Sequence, residues 1–150
     1  MVAKDPKLTR RLEDYLEAVL ELVRRDGVAR VRDIAARTGV SMSSVTAALR
    51  QLAQMELVHH DPYEVVTLTP RGQRMGKTIR RKHDTLVEFL VNVLSVDAER
   101  AQKNACRMEH VVDEEVLKRL SMLGDFVEEH GGQGEDWVEE FSAYCQRHGS

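Results

Sequence analysis

The chain has 150 residues, 42% apolar and only 5% aromatic, a balance suited to helices packed through Leu, Val, Ala and Met rather than to a β-sandwich. No apolar run approaches the ~20 residues of a membrane helix, no apolar stretch follows the N-terminus, and Cys106 and Cys145 are too few for a disulfide framework, so a cytoplasmic protein that meets no membrane is expected. The net charge of -3 conceals an asymmetry, with 16 Lys/Arg against 10 Asp/Glu in residues 1–83 and 6 against 15 in residues 84–150, which points to a nucleic-acid-binding part beside an acidic part with another task.

Leu12, Leu16, Val19, Leu20 and Val23 recur at helical spacing and predict an amphipathic helix over 8–26 that stops at Gly27. Val31, Ile34 and Ala35 define a short helix ended by Gly39. Val40 and Ser41 then lead into a third helix over 42–56, with Val45, Leu49 and Leu52 on one face. Two short helices joined by a tight Gly-containing turn form a helix-turn-helix pattern. The period then changes: residues 57–60 and 64–69 are β-prone and flank Asp61, Pro62 and Tyr63, which predicts a hairpin serving as a wing. Thr69 and Pro70 read as the N-cap and first residue of a long helix to about Leu94, with Met75, Ile79, Leu86, Phe89, Leu90 and Val93 on its apolar side. Three more helices are expected over 97–110, 113–130 and 135–148. Gly131, Gly132 and Gly134 mark a flexible linker that makes the last helix a separately docked tail.

Opposite its apolar face the third helix offers Ser43, Ser44, Thr46, Ala47 and Arg50, with Ser41 at its start. Small polar residues near the N-terminus of a helix let it sit deep in a major groove. Arg30, Arg32 and the basic segment with Lys4, Lys7, Arg10 and Arg11 are candidate phosphate contacts, which fix register rather than read sequence. The bland alternative is a solvated helix corner in some other α-rich protein.

The acidic half holds the sharper signal. Cys106, Glu109 and His110 are spaced i, i+3 and i+4, which places a thiolate, a carboxylate and an imidazole on one face of one helix. Such a set suits a borderline metal such as Fe²⁺, Co²⁺, Ni²⁺ or Zn²⁺. Asp14 and Glu17 present two carboxylates from the first helix, and His83 adds an imidazole from the long one. Taken singly, a helical Cys is more often a small core residue, and an Asp/Glu pair a solvated face.

Leu12-Glu13-Asp14-Tyr15-Leu16-Glu17, Arg81-Lys82-His83 and Ala105-Cys106-Arg107-Met108-Glu109-His110-Val111 resemble the diphtheria toxin repressor family of iron- and manganese-dependent regulators. The resemblance covers residues from about 10 to 123. It implies a two-domain, mostly α protein: a winged helix-turn-helix with a small β-hairpin wing over 1–75, then a helical metal-binding and dimerisation domain over 76–150. It further implies Asp14, Glu17, His83, Cys106, Glu109 and His110 as metal ligands, Mn²⁺ or Fe²⁺ as cofactor with Co²⁺, Ni²⁺ or Zn²⁺ accepted in vitro, and a homodimeric repressor of metal-uptake genes on double-stranded operator DNA. No small organic substrate is expected.

The ligand set mixes two branches of that family. Asp14 and Glu17 look like the manganese branch, whereas Cys106 looks like the iron branch. Gln102 stands where the iron branch has a histidine in an ancillary site, and the wing tip at Asp61, Pro62, Tyr63 and Glu64 carries no basic residue. His59 and His60 read as solvent-facing wing residues. A solvent-accessible site is expected, in which acidic ligands crowded together repel one another until metal binds. Two alternatives stand beside this reading. A helical di-metal carboxylate enzyme wants Glu-x-x-His motifs on facing helices, and this chain has one, Glu56 to His59. A redox-sensing winged-helix repressor would act through Cys106.

Overall fold

The computed structural model describes residues 7–61, 65–131 and 137–149. The chain divides into two compact units, Met1–Arg80 and Arg81–Ser150. Each is built from helices whose ends are set by local chemistry.

In the first unit, α1 (Arg10–Asp26) begins where the Thr9 hydroxyl accepts the Leu12 N–H at 3.3 Å. It ends at Gly27, whose φ of 81° turns the chain out of the helix while its N–H donates to the Val23 carbonyl at 2.8 Å. Helix α2 (Val31–Thr38) stops the same way at Gly39. Ser41 caps α3 (Met42–Gln54). The third helix is shorter than the expected 42–56, because Glu56 adopts φ 58° and reverses the chain.

The expected wing strands over 57–60 and 64–69 reduce to two residue pairs. Strands β1 (Val58–His59) and β2 (Thr67–Leu68) run antiparallel, with Val58 opposite Leu68 and His59 opposite Thr67. The proposed turn residues Pro62 and Tyr63 lie outside the described residues. A third segment extends the ladder: Ala29, between α1 and α2, exchanges backbone hydrogen bonds of 3.0 and 2.7 Å with Val66.

Leu16, Val19, Ile34, Val45, Leu49, Leu52, Leu57 and Val66 are fully buried in one cluster, so three helices and the hairpin share a core. Each such side chain contributes about 1.5–3 kcal/mol on leaving water. The expected faces of the first and third helices are the ones buried.

Helix α4 (Pro70–Asn92) starts as expected at Pro70, with the Thr69 hydroxyl accepting the Gly72 N–H at 2.9 Å. The same hydroxyl donates to the Glu56 carbonyl at 2.7 Å, so one side chain ties the turn after α3 to the start of α4. Helix α4 crosses the division between the units.

The second unit continues with α5 (Ala98–Met108), α6 (Glu114–His130) and α7 (Trp137–His148). Its buried cluster consists of Leu86, Ala105 and Leu117, flanked by Val87, Met108, Val112 and Leu120. Val111, Val116, Met122, Leu123 and Phe126 are exposed. None of the described helices is long and apolar enough to cross a membrane. The proposed linker residues Gly132 and Gly134 lie outside the described residues.

Gly72 has a packing requirement. A Cβ there would stand 1.8 Å from the Leu57 carbonyl oxygen, a backbone atom that also accepts the Thr69 N–H. Gly72→Ala is therefore expected to destabilise the first unit by about 1–3 kcal/mol or more, measured by chemical denaturation. Wild-type stability would show that the Leu57 backbone and α4 separate freely.

Candidate metal centre and nucleic-acid interface

Among the described residues, the buried polar side chains are His83, 2% exposed, and Glu109, 4% exposed. Both belong to the second unit. Helix α4 supplies His83, and the turn that closes α5 supplies Glu109. The two meet directly: His83 Nδ1 lies 2.7 Å from Glu109 Oε2. The other ring nitrogen, Nε2, lies 2.7 Å from Gln102 Oε1. Cys106 Sγ is 3.8 Å from His83 Nδ1, and His110 Nε2 is 3.4 Å from Glu109 Oε1.

Local folding accounts for this convergence. Gln102 and Cys106 are four residues apart on α5 and share a face. The helix was expected to reach residue 110 but ends at Met108, so Glu109 and His110 sit in the following turn. The Glu109 N–H still donates to the Ala105 carbonyl at 2.9 Å, which keeps its side chain on the Cys106 side of the helix. The expected i, i+3, i+4 arrangement thus persists through the helix end rather than within it.

One expectation is corrected here. The centre is not solvent-accessible at its acidic member, since the Glu109 and His110 side chains are 1% and 3% exposed. An ionisable pair removed from water costs several kcal/mol per ion before attraction repays it, so it calls for a reason beyond packing. Imidazole, carboxylate and thiolate within a few ångströms form a donor set that fits a borderline divalent ion. Cys106 is exposed, and is therefore no core residue.

In the first unit, Asp14 is exposed on α1 and Glu17, one turn on, is half-buried. The Glu17 carboxylate is 3.3 Å from Arg80 Nη1. Arg80 also lies 3.8 Å from Glu21, which pairs with Arg37 of α2.

The candidate reading helix is equally resolved. Ser43, Ala47 and Arg50 are exposed on α3, opposite buried Val45, Ala48, Leu49 and Leu52. Ser41 Oγ accepts the Ser44 N–H at 3.2 Å and lies 3.1 Å from Ser43 Oγ, so Ser41 is the cap and Ser43 the more outward hydroxyl. Thr46 is half-buried and donates to the Met42 carbonyl at 3.0 Å. Arg30 precedes α2 and is exposed; Arg32 is exposed with Asp33 at 3.5 Å. Met42, Gln51 and Gln54 are also exposed on α3 and were missed by the sequence reading. The spacing from Ser43 through Ala47 and Arg50 to Gln54 was the available signal. A glutamine there can bond an adenine edge in two places.

Residues 7–66 match the family described as Iron dependent repressor, N-terminal DNA binding domain. Residues 69–137 match Iron dependent repressor, metal binding and dimerisation domain. The chain belongs to this repressor family.

The transcriptional regulator MntR of Escherichia coli O6:H1 is 38% identical over 122 residues, covering 81% of this chain and 76% of that protein. The MntR of Bacillus subtilis is 31% identical over 128 residues, covering 85% and 89%. Among solved structures, a manganese-dependent transcriptional repressor in complex with manganese superposes with a TM-score of 0.69 at 30% identity, over 77% of this chain and 53% of that one. The T. acidophilum IdeR structure gives 0.67 at 30% identity over 77% of this chain and 53% of that one. The chain spans about half the length of these solved repressors.

Membership in the iron-dependent repressor family confirms the two-domain diphtheria toxin repressor resemblance and makes the chain a metal-dependent transcriptional regulator, not an enzyme. The di-metal enzyme alternative also fails locally. Glu56 sits at the positive-φ reversal after α3 and His59 on β1, so the Glu-x-x-His residues share no helix. The family does not favour the redox reading of Cys106.

Arg50→Ala is expected to weaken specific DNA binding more than nonspecific binding, because Arg50 projects from the outward face of α3. Arg32→Ala should weaken both about equally and lower the salt slope by about 1. Binding assays on operator and random duplex across salt check this; identical behaviour of the two variants contradicts the division between reading and positioning.

Proposed function

We propose that the protein represses metal-uptake genes by binding a two-fold operator as a homodimer in the cytoplasm when Mn²⁺ or Fe²⁺ is bound. The observation that carries this reading is the buried His83 and Glu109 pair with Cys106 beside it, on a chain whose other unit is a winged helix-turn-helix. His83, Cys106, Glu109 and His110 are the proposed ligands of the second unit. Asp14 and Glu17 are proposed as further ligands on the resemblance alone.

A bound divalent ion supplies positive charge to this donor set. The chain's residues do the rest. Glu109 and His83 would help to hold the ion, and Gln102 orients the His83 ring through its contact with Nε2. Ser43, Ala47 and Arg50 are proposed to face base edges, with Ser44, Thr46 and Ser41 shaping the start of α3. Arg30, Arg32, Lys7, Arg10 and Arg11 are proposed to meet phosphates. Metal controls DNA affinity only through its differential affinity for the DNA-competent state, typically about 1–3 kcal/mol of coupling.

The effector assignment follows ligand chemistry. Oxygen donors accept Mn²⁺, and the Cys106 thiolate favours Fe²⁺ over Mn²⁺. Solved relatives described as a manganese regulator and a manganese-dependent repressor, and a relative's structure with bound Zn²⁺, fit that range.

Glu109→Gln preserves shape and a hydrogen-bonding atom, so it tests ligation with less damage than truncation. It is expected to abolish operator binding stimulated by Mn²⁺ or Fe²⁺, measured anaerobically for iron, while the far-UV circular dichroism stays that of wild type. Wild-type stimulation in Glu109→Gln would remove Glu109 from the ligand set.

A further inference from the structure

We propose that Gln102 is a positioning residue that fixes the orientation of His83, so that Nδ1 is the nitrogen presented to the metal. The proposal rests on the reading of His83 as a ligand and goes beyond it by assigning a role to the residue behind the ring.

A histidine ring has two unlike nitrogens, and turning it by 180° about Cβ–Cγ exchanges them for carbons. In this structure both nitrogens are engaged from opposite sides. Nδ1 faces the donor cluster, 2.7 Å from Glu109 Oε2 and 3.8 Å from Cys106 Sγ. Nε2, on the other edge of the ring, lies 2.7 Å from Gln102 Oε1. Turning the ring would set carbon against the Glu109 carboxylate and against the Gln102 amide oxygen, losing both contacts. Glu109 cannot hold the ring alone once its carboxylate serves an ion. Gln102 can, because its amide oxygen meets the nitrogen on the far edge.

A metal-ligating imidazole ordinarily donates its other N–H to an oxygen acceptor, which fixes ring orientation and raises ligand basicity. Gln102 supplies such an acceptor from α5, the same helix that carries Cys106 four residues later. That common origin makes the spacing of Gln102 and Cys106 around His83 a property of one rigid helix.

The test uses the full-length chain with Gln102→Leu, which keeps length without an acceptor, Gln102→Glu, which restores an acceptor, and His83→Ala. Calorimetric titration with Mn²⁺ is expected to show about 10–100-fold weaker binding for Gln102→Leu, with affinity recovered in Gln102→Glu. Nuclear magnetic resonance of ¹⁵N-histidine protein loaded with ¹¹³Cd²⁺ should show cadmium coupling to His83 Nδ1 in wild type and its loss or transfer to Nε2 in Gln102→Leu. Unchanged affinity and Nδ1 coupling in Gln102→Leu would overturn the proposal while leaving His83 a ligand. Equal weakening in Gln102→Leu and Gln102→Glu would also overturn it, since the acceptor would then not matter. Wild-type Mn²⁺ affinity in His83→Ala would overturn the ligand reading itself, and the proposal with it.

Discussion

The second unit is organised around a carboxylate and an imidazole held 2.7 Å apart out of water, Glu109 against His83. Removing one partner of such a pair leaves a stranded polar group and costs about 3–5 kcal/mol, yet well-packed apolar residues in place of both are often as stable or more so. Stability alone therefore gives no reason for the pair. Among the described residues of this unit, Leu86, Ala105 and Leu117 form a buried cluster and Leu90, Val93, Ala101 and Val127 are buried too, while several large apolar side chains of α6 remain exposed. A buried ionisable pair gives the unit reason to take up a metal, and the exposed apolar side chains of α6 give it reason to be covered by a second copy. Its family description as a metal-binding and dimerisation domain names both.

The first unit is built on the opposite principle. Its helices and hairpin share one well-filled apolar core, and its junctions are pinned by backbone and hydroxyl hydrogen bonds, with Thr69 bridging Glu56 and Gly72. A rigid unit of this kind presents α3 in a fixed orientation on its own scaffold. Basic charge is concentrated here and acidic charge in the other half, so attraction to phosphate and attraction to cations are separated along the chain. The same separation explains why a net charge of -3 is compatible with binding DNA.

Much of this was legible from periodicity and turn chemistry. The buried faces of α1 and α3 follow from Leu12, Leu16, Val19 and from Val45, Leu49, Leu52, and the start of α4 from Thr69 and Pro70. The Ala29 and Val66 bridge was not, because one isolated pair leaves no period to detect. The early end of α3 was hidden for a different reason: Glu56 adopts a left-handed conformation usually left to glycine or asparagine. The clustering of Cys106 and Glu109 near His83 could be anticipated as helix spacing plus resemblance. The burial of Glu109 could not, since charged residues read as solvated faces until tertiary packing is known. Gln102 was visible only as a departure from a family histidine, and its contact with His83 depends on how α4 and α5 pack.

If metal and DNA act on one equilibrium, each must tighten the other by the same factor. The direct test is calorimetric Mn²⁺ titration of the protein alone and saturated with operator duplex, paired with operator affinity measured with and without Mn²⁺. Equal enhancements, within about 5–150-fold, are predicted. Mn²⁺ affinity indifferent to operator would contradict the account, because the ion would then occupy the protein without favouring the state that binds DNA.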